Sequence, residues 1–140
     1  MKALSIGEVS RRTAVKVPTI RFYEERGLLP TPVRTEGNRR TYGDADVNRL
    51  KFIRHARELG FEVDDIRALL DLASHPEQPC AEADAIARRH LADIDDRLTR
   101  LTGLRKEVRA MLDQCSGGPV RQCRIIEVLA DHGECLHDRH

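Results

Sequence analysis

The sequence predicts a mainly α fold, in which a winged helix-turn-helix unit is followed by a long antiparallel coiled-coil dimerisation helix. Three observations carry that prediction. The chain has no Trp, 4% aromatic residues and 34% charged residues, and it is rich in Arg, Asp, Glu, Ala and Leu, as helical proteins are. Two short helical runs joined by a tight turn open it, ahead of a stretch dense in Pro, Gly and Arg. Finally, Ala87, Leu91, Ile94, Leu98, Leu101, Val108 and Leu112 recur at steps of four and three, interrupted only by Arg105, which is a coiled-coil seam.

Each element has its own local signal. Ser5 caps a helix over Ile6 to Thr13 with Ile6, Val9 and Ala14 inward, and a turn at Ala14 to Lys16 follows. Val17-Pro18-Thr19 starts a second helix, since proline is tolerated in a first turn, and Gly27 ends it. That second helix presents Thr19, Arg21, Tyr23 and Glu24. Glu36-Gly37-Asn38 reads as a hairpin turn between extended arms at Thr31 to Arg34 and Arg39 to Tyr42, the wing. Asp44 caps a third helix with Val47, Leu50 and Ile53 inward, which ends near Leu59-Gly60. A fourth starts at Val63 and breaks at Ser74-His75-Pro76. The long helix spans Glu82 to Gln114, with charged faces that include Glu107 and a Gly103 suited to a close helix crossing. Ser116-Gly117-Gly118-Pro119 forbids further helix, and Arg124 to Leu129 forms a last short one.

A net charge of +1 conceals a division. Residues 1–60 carry 13 Lys and Arg against 7 Asp and Glu, whereas residues 61–140 carry 11 against 16. A basic half joined to an acidic half points to a polyanion as the partner of the first alone. No apolar run approaches membrane-span length and no signal-peptide core follows Met1, so a soluble, cytoplasmic protein without a membrane partner is expected. In that reducing compartment four cysteines are metal ligands or reactive thiols rather than a disulfide framework.

Cysteine placement sharpens the prediction. Thirty-five residues separate Cys80 from Cys115, roughly 50 Å of helix at ~1.5 Å per residue, too far for one chain to close a site with both. Two antiparallel copies put Cys80 of each beside Cys115 of the other, so a homodimer with two symmetry-related cysteine sites is expected. The turn-rich spacer between Cys115 and Cys123 lets both sulfurs converge on one ion, and Cys80 of the other subunit supplies a third thiolate. Cys135, His137 and His140 form a soft-ligand tail that completes this site, holds a second ion or frays.

The motifs IGEVSRRTAV, VPTIRFYEERGLLP and RTEGNRRTYGDADVNRLKFIRHARELGF, followed by a long helix and a cysteine-bearing loop, resemble the MerR family of bacterial metal-responsive regulators along essentially the whole chain. The resemblance implies two-fold operator DNA as ligand. It assigns DNA contacts to Thr19, Arg21 and Tyr23 on the recognition helix, to Arg34, Arg39, Arg40 and Tyr42 on the wing, and to Arg54 near the backbone. It also implies an activator that stays on an overlong promoter and, on binding metal, bends and untwists the duplex so that RNA polymerase reads both promoter elements.

Three thiolates favour a divalent ion, with Zn(II) ahead of Cd(II), Pb(II) and Hg(II), because a divalent charge leaves less excess negative charge to bury. In the resembling family the copper, silver and gold sensors carry Ser where Cys80 stands, which agrees. The seven-residue spacer in the cysteine loop matches the monovalent sensors in length, so a Cu(I) or Ag(I) sensor is the alternative, alongside a thiol-redox switch at Cys115 and Cys123. A drug-binding regulator needs more chain after the long helix, and an enzyme needs an acid and base or an activated nucleophile that the sequence lacks. The expected organisation is therefore a DNA-binding domain at 1–73, a linker at 74–81 with Cys80, the dimerisation helix at 82–114, and a metal-binding loop, short helix and tail at 115–140.

Overall fold

A computed structural model describes residues 3–37, 39–115 and 117–131. They form α1 (Ile6–Thr13), α2 (Val17–Glu25), β1 (Val33–Arg34), β2 (Arg40–Thr41), α3 (Asp44–Glu58), α4 (Val63–Ala73), α5 (Ala81–Asp113) and α6 (Arg124–Ala130). The chain divides into two compact units, Met1–Ile86 and Ala87–His140.

In the first unit, Ser5 accepts a hydrogen bond from the Glu8 amide at 3.2 Å and α1 begins where the cap predicts. Ala14 departs from expectation. It is the C-cap, left-handed at φ 58°, and it is exposed rather than inward, because the chain must reverse there to enter α2. The turn is held by polar side chains: Ser10 donates to the Val15 carbonyl at 2.6 Å, and the buried Thr13 hydroxyl donates to Val9 O at 2.8 Å and accepts from Val15 N at 3.3 Å. Both of its hydrogen-bonding capacities are used, which is why a hydroxyl can sit in this core.

Glycine ends α2 and marks the end of α3. Gly27 at φ 76° and Gly60 at φ 89° let Leu28 N reach Tyr23 O at 2.9 Å and Phe61 N reach Ala56 O at 3.1 Å, so both helices close with satisfied carbonyls. The N-terminus of α3 corrects the assignment of Asp44. Gly43 is the N-cap, and Asp46, three residues on, accepts from the Gly43 amide at 2.9 Å.

The core joins α1 to α4 through Leu4, Val9, Ile20, Leu28, Leu50, Ile53 and Ile66, each almost fully buried. Val47, Leu50, Ile53 and Ala56 are the buried face of α3, spaced by three and four. The wing is a two-stranded antiparallel sheet pairing Val33 with Thr41 and Arg34 with Arg40, shorter than its expected arms. Leu4 and Tyr42 extend it by a bridge, exchanging backbone hydrogen bonds of 2.8 and 2.9 Å.

The second unit holds most of α5 and all of α6. Among the described residues the expected seam positions Leu91, Ile94, Leu98, Leu101, Val108 and Leu112 are all exposed, as is Leu104, which a strict seven-residue count omits. A second stripe was not foreseen. Gly103, Ala110 and Met111 are half-buried, and Glu107, expected on a solvated face, is only 4% exposed. The small residues at 103 and 110 flank that carboxylate on one side of the helix, at helical spacing, and Val128 of α6 is likewise buried. No described helix is long and apolar enough to cross a membrane.

Candidate DNA interface and metal centre

The basic surface of the first unit is built on α2 and the wing. Arg21 is exposed on α2 and Thr19 is half-buried beside it, while Arg26 lies over the Phe22 ring with its guanidinium 5.8 Å from the centroid. Across the wing, Arg34 and Arg39 are exposed. Thr35 binds Arg39 twice at the hairpin end, Thr35 N to Arg39 O at 2.8 Å and Arg39 N to Thr35 Oγ1 at 3.2 Å. Arg21, Arg34 and Arg39 are thus exposed on α2 and the wing, and arginine is the residue type whose forked donors phosphate oxygens recognise.

The other expected DNA contacts have structural employment. Tyr23 is buried, its ring 5.8 Å from that of Phe22. Tyr42 is 3% exposed and its phenol donates to the Glu24 carboxylate, which also lies 3.7 Å from Arg40 Nε. A phenol has one proton to donate, and that of Tyr42 is spent on a bond between wing and α2. Arg40 is half-buried beside the same carboxylate. Arg54 donates to the Thr13 carbonyl at 3.1 Å and pairs with Glu58 at 3.1 Å, so it caps the C-terminus of α1. Arg49 and Arg67, not singled out from sequence, donate to the carbonyls of Leu28 and Arg26 and hold the segment after α2. Their signal was only an arginine near a helix end, which is common.

Burial, foremost, and then the hydrogen bond to Glu24 and its negative charge push the Tyr42 phenol well above its ordinary 10.0. The folded state thus favours the neutral phenol. That contribution to stability is complete below pH 10 and is lost as pH rises through the folded-state value, because the unfolded chain releases this proton first. Stability should therefore fall above about pH 10. Alkaline absorbance titration of the protein, with Tyr42→Phe to assign the transition, should show this phenol ionising late; an ordinary titration for Tyr42 would contradict the geometry.

The cysteines lie at the two ends of α5. The Cys80 carbonyl accepts from Asp84 N at 2.9 Å and opens the helix, and Cys115 N donates to Leu112 O at 3.2 Å just past its end. Both are exposed, Cys123 is half-buried, and all three are free thiols. Gly117, left-handed at φ 74°, and a 3₁₀ turn at Val120–Gln122 return the chain so that Cys123 precedes α6. There the Ile126 amide, with Ile125 and the Cys115 thiol contributing less, holds the Cys123 thiol below its ordinary 9.0, although the helix start closes no formal side-chain cap. Two sulfurs close to one another, that of Cys123 biased toward thiolate, are a fitting donor pair for a soft or borderline ion. Among the described residues no three His, Cys, Asp or Glu side chains group as a metal site. The expected ligands Cys135, His137 and His140 lie outside the described residues.

A short winged helix-turn-helix domain leading into a long helix with an exposed apolar stripe defines a class of DNA-binding transcription regulators. The chain belongs to the MerR family within it: residues 4–73 match the MerR HTH family regulatory protein model and residues 47–113 match its DNA-binding model. It is accordingly a DNA-binding regulator and not an enzyme. It is 38% identical over 127 residues to the HTH-type transcriptional regulator ZntR of Escherichia coli strain K12, covering 89% of this chain and 90% of that one. It is 35% identical over 128 residues to heavy metal-dependent transcription regulator 2 of Rhizobium meliloti strain 1021, covering 91% and 87%. Its fold is similar to the crystal structure of the transcription regulator PbrR691 from Ralstonia metallidurans CH34 in complex with lead(II), with a TM-score of 0.79, 37% identity and coverage of 90% and 98%.

Proposed function

We propose that this chain is a metal-responsive regulator that senses a divalent soft or borderline ion, Zn(II) ahead of Cd(II), Pb(II) and Hg(II), and activates a metal efflux or resistance promoter by distorting operator DNA. The observation that carries the reading is the thiol pair Cys115 and Cys123 placed together after α5, with Cys80 exposed at the other end of that helix. Relatives that depend on heavy metal or bind lead(II) support the effector class.

The site is completed by Cys80 of a second copy, so the functional unit is a homodimer whose seam is Leu91, Ile94, Leu98, Leu101, Leu104, Val108 and Leu112. Arg21, Arg34 and Arg39 hold phosphates, with Thr19 beside them, and Tyr23, Arg40, Tyr42 and Arg54 shape that surface from behind. The bound ion neutralises thiolates that otherwise repel one another, so its occupancy favours one arrangement of the paired subunits. DNA bending and untwisting is the deformation which that arrangement stabilises, and RNA polymerase then engages both promoter elements. Cys135, His137 and His140 stay outside the minimal ligand set of this proposal.

In vitro transcription across a metal panel tests it. Zn(II) or another divalent ion of the set should raise transcript yield at least tenfold from the protein's own promoter, with Cu(I) and Ag(I) inert. Response to Cu(I) and Ag(I) alone would assign the chain to monovalent sensing, and response to oxidant without metal would assign it to thiol-redox sensing.

A further inference from the structure

Glu24 is out of place on electrostatic grounds. It sits on the recognition helix, where a carboxylate repels phosphate, and Glu25 beside it is exposed as a surface carboxylate should be. The Glu24 side chain is only 10% exposed, receives the Tyr42 phenol and lies against Arg40. Both partners belong to the wing strand or the residue that follows it. A two-residue ladder cannot fix its own orientation, and the exposed β1 residues add little packing. The direction of the wing must be set at its root, where the Leu4–Tyr42 bridge ties its backbone and this carboxylate holds its side chains.

We propose that Glu24 is a positioning residue for DNA recognition: by receiving Tyr42 and facing Arg40 it fixes the wing against the recognition helix, so that Arg21, Arg34 and Arg39 meet the duplex as one preorganised set. The inference rests on the DNA-binding reading of the domain and adds a role for a residue that does not touch DNA. Its sign separates it from plain electrostatics. Removing an acidic group from a DNA-facing helix should tighten binding if charge alone matters, and should weaken it if the carboxylate holds the wing.

The probe is a duplex selected by the wild-type protein from a random-sequence pool, compared with an unselected duplex of the same length. Glu24→Ala should weaken binding of the selected duplex about tenfold, and Tyr42→Phe, which keeps the ring, about fivefold, the scale of one lost charge-assisted hydrogen bond. The double variant should be no weaker than Glu24→Ala, since both delete one link. Glu24→Gln keeps an acceptor for the phenol and should fall between Glu24→Ala and wild type. The preference for the selected over the unselected duplex should shrink in the same order, which a loss of thermal stability alone does not produce. Glu25→Ala should bind as wild type or tighter. Glu24→Ala binding as tightly as Glu25→Ala, or additive losses in the double variant, would overturn the proposal. If Glu24→Ala fails to fold, Tyr42→Phe and Glu24→Gln decide it on the same preference ratio. Failure of the wild type to retain any duplex would overturn the DNA-binding reading itself, and the proposal with it.

Discussion

Leu98→Glu is expected to convert the protein to a monomer in sedimentation equilibrium and to weaken its binding to a selected operator duplex at least a hundredfold, with helix content nearly unchanged. Leu98 is 57% exposed in the chain alone, so the substitution removes little from the fold of a single copy. Any large effect must come from what covers the seam. The midpoint of Ala81–Asp113 falls at Arg97, so in an antiparallel pair position 98 lies near its own counterpart. The variant brings two carboxylates together on a face where two leucines would each contribute about 1.5–3 kcal/mol by burial. Removing that burial and adding like charges near the two-fold axis acts on both subunits at once. A monomer then holds one half-site, and a two-fold operator gives it no second contact to share. Arg100→Glu, also exposed and two residues away on another face of α5, should leave both association and DNA binding near the wild-type level. A dimeric Leu98→Glu protein would show that the seam is not where the copies meet.

What the sequence revealed follows from which interactions are local. α1 was legible because Ser5 caps it, and the starts of α2 and α4 because Pro18 and the acidic residues after Glu62 mark first turns. The apolar stripe of α5 was legible because periodicity survives without knowledge of what packs on it. Side-chain employment was not. Arg54, Arg40 and Tyr42 have the chemistry of phosphate contacts, and only the fold brings them to Thr13, Glu24 and Glu58. Glu107 was indistinguishable from the charges around it, because its burial depends on what covers one stripe of the helix and not on its neighbours in sequence. The approach of Cys115 to Cys123 could be read from a spacer rich in glycine and proline, whereas the role proposed for Cys80 needs a second chain.

That dependence allows a decisive experiment. Cys80→Ser and Cys115→Ser should each lose Zn(II) binding by a thousandfold or more, since each deletes one of three thiolates from both sites of its homodimer. Refolded together, they should recover part of it. In a mixed dimer one end joins the intact Cys80 of one subunit to the intact Cys115 and Cys123 of the other, while the opposite end lacks both altered thiols. Random assortment makes about half of the dimers mixed, so tight binding should return at about one ion per four chains. A site built within one chain predicts no recovery at any mixing ratio, because every chain in the mixture is then defective. Equilibrium dialysis against a chelator that competes with the intact site separates the two outcomes. Adding Leu98→Glu to both chains should abolish the recovery, since thiolates from two copies can meet only where the copies themselves do.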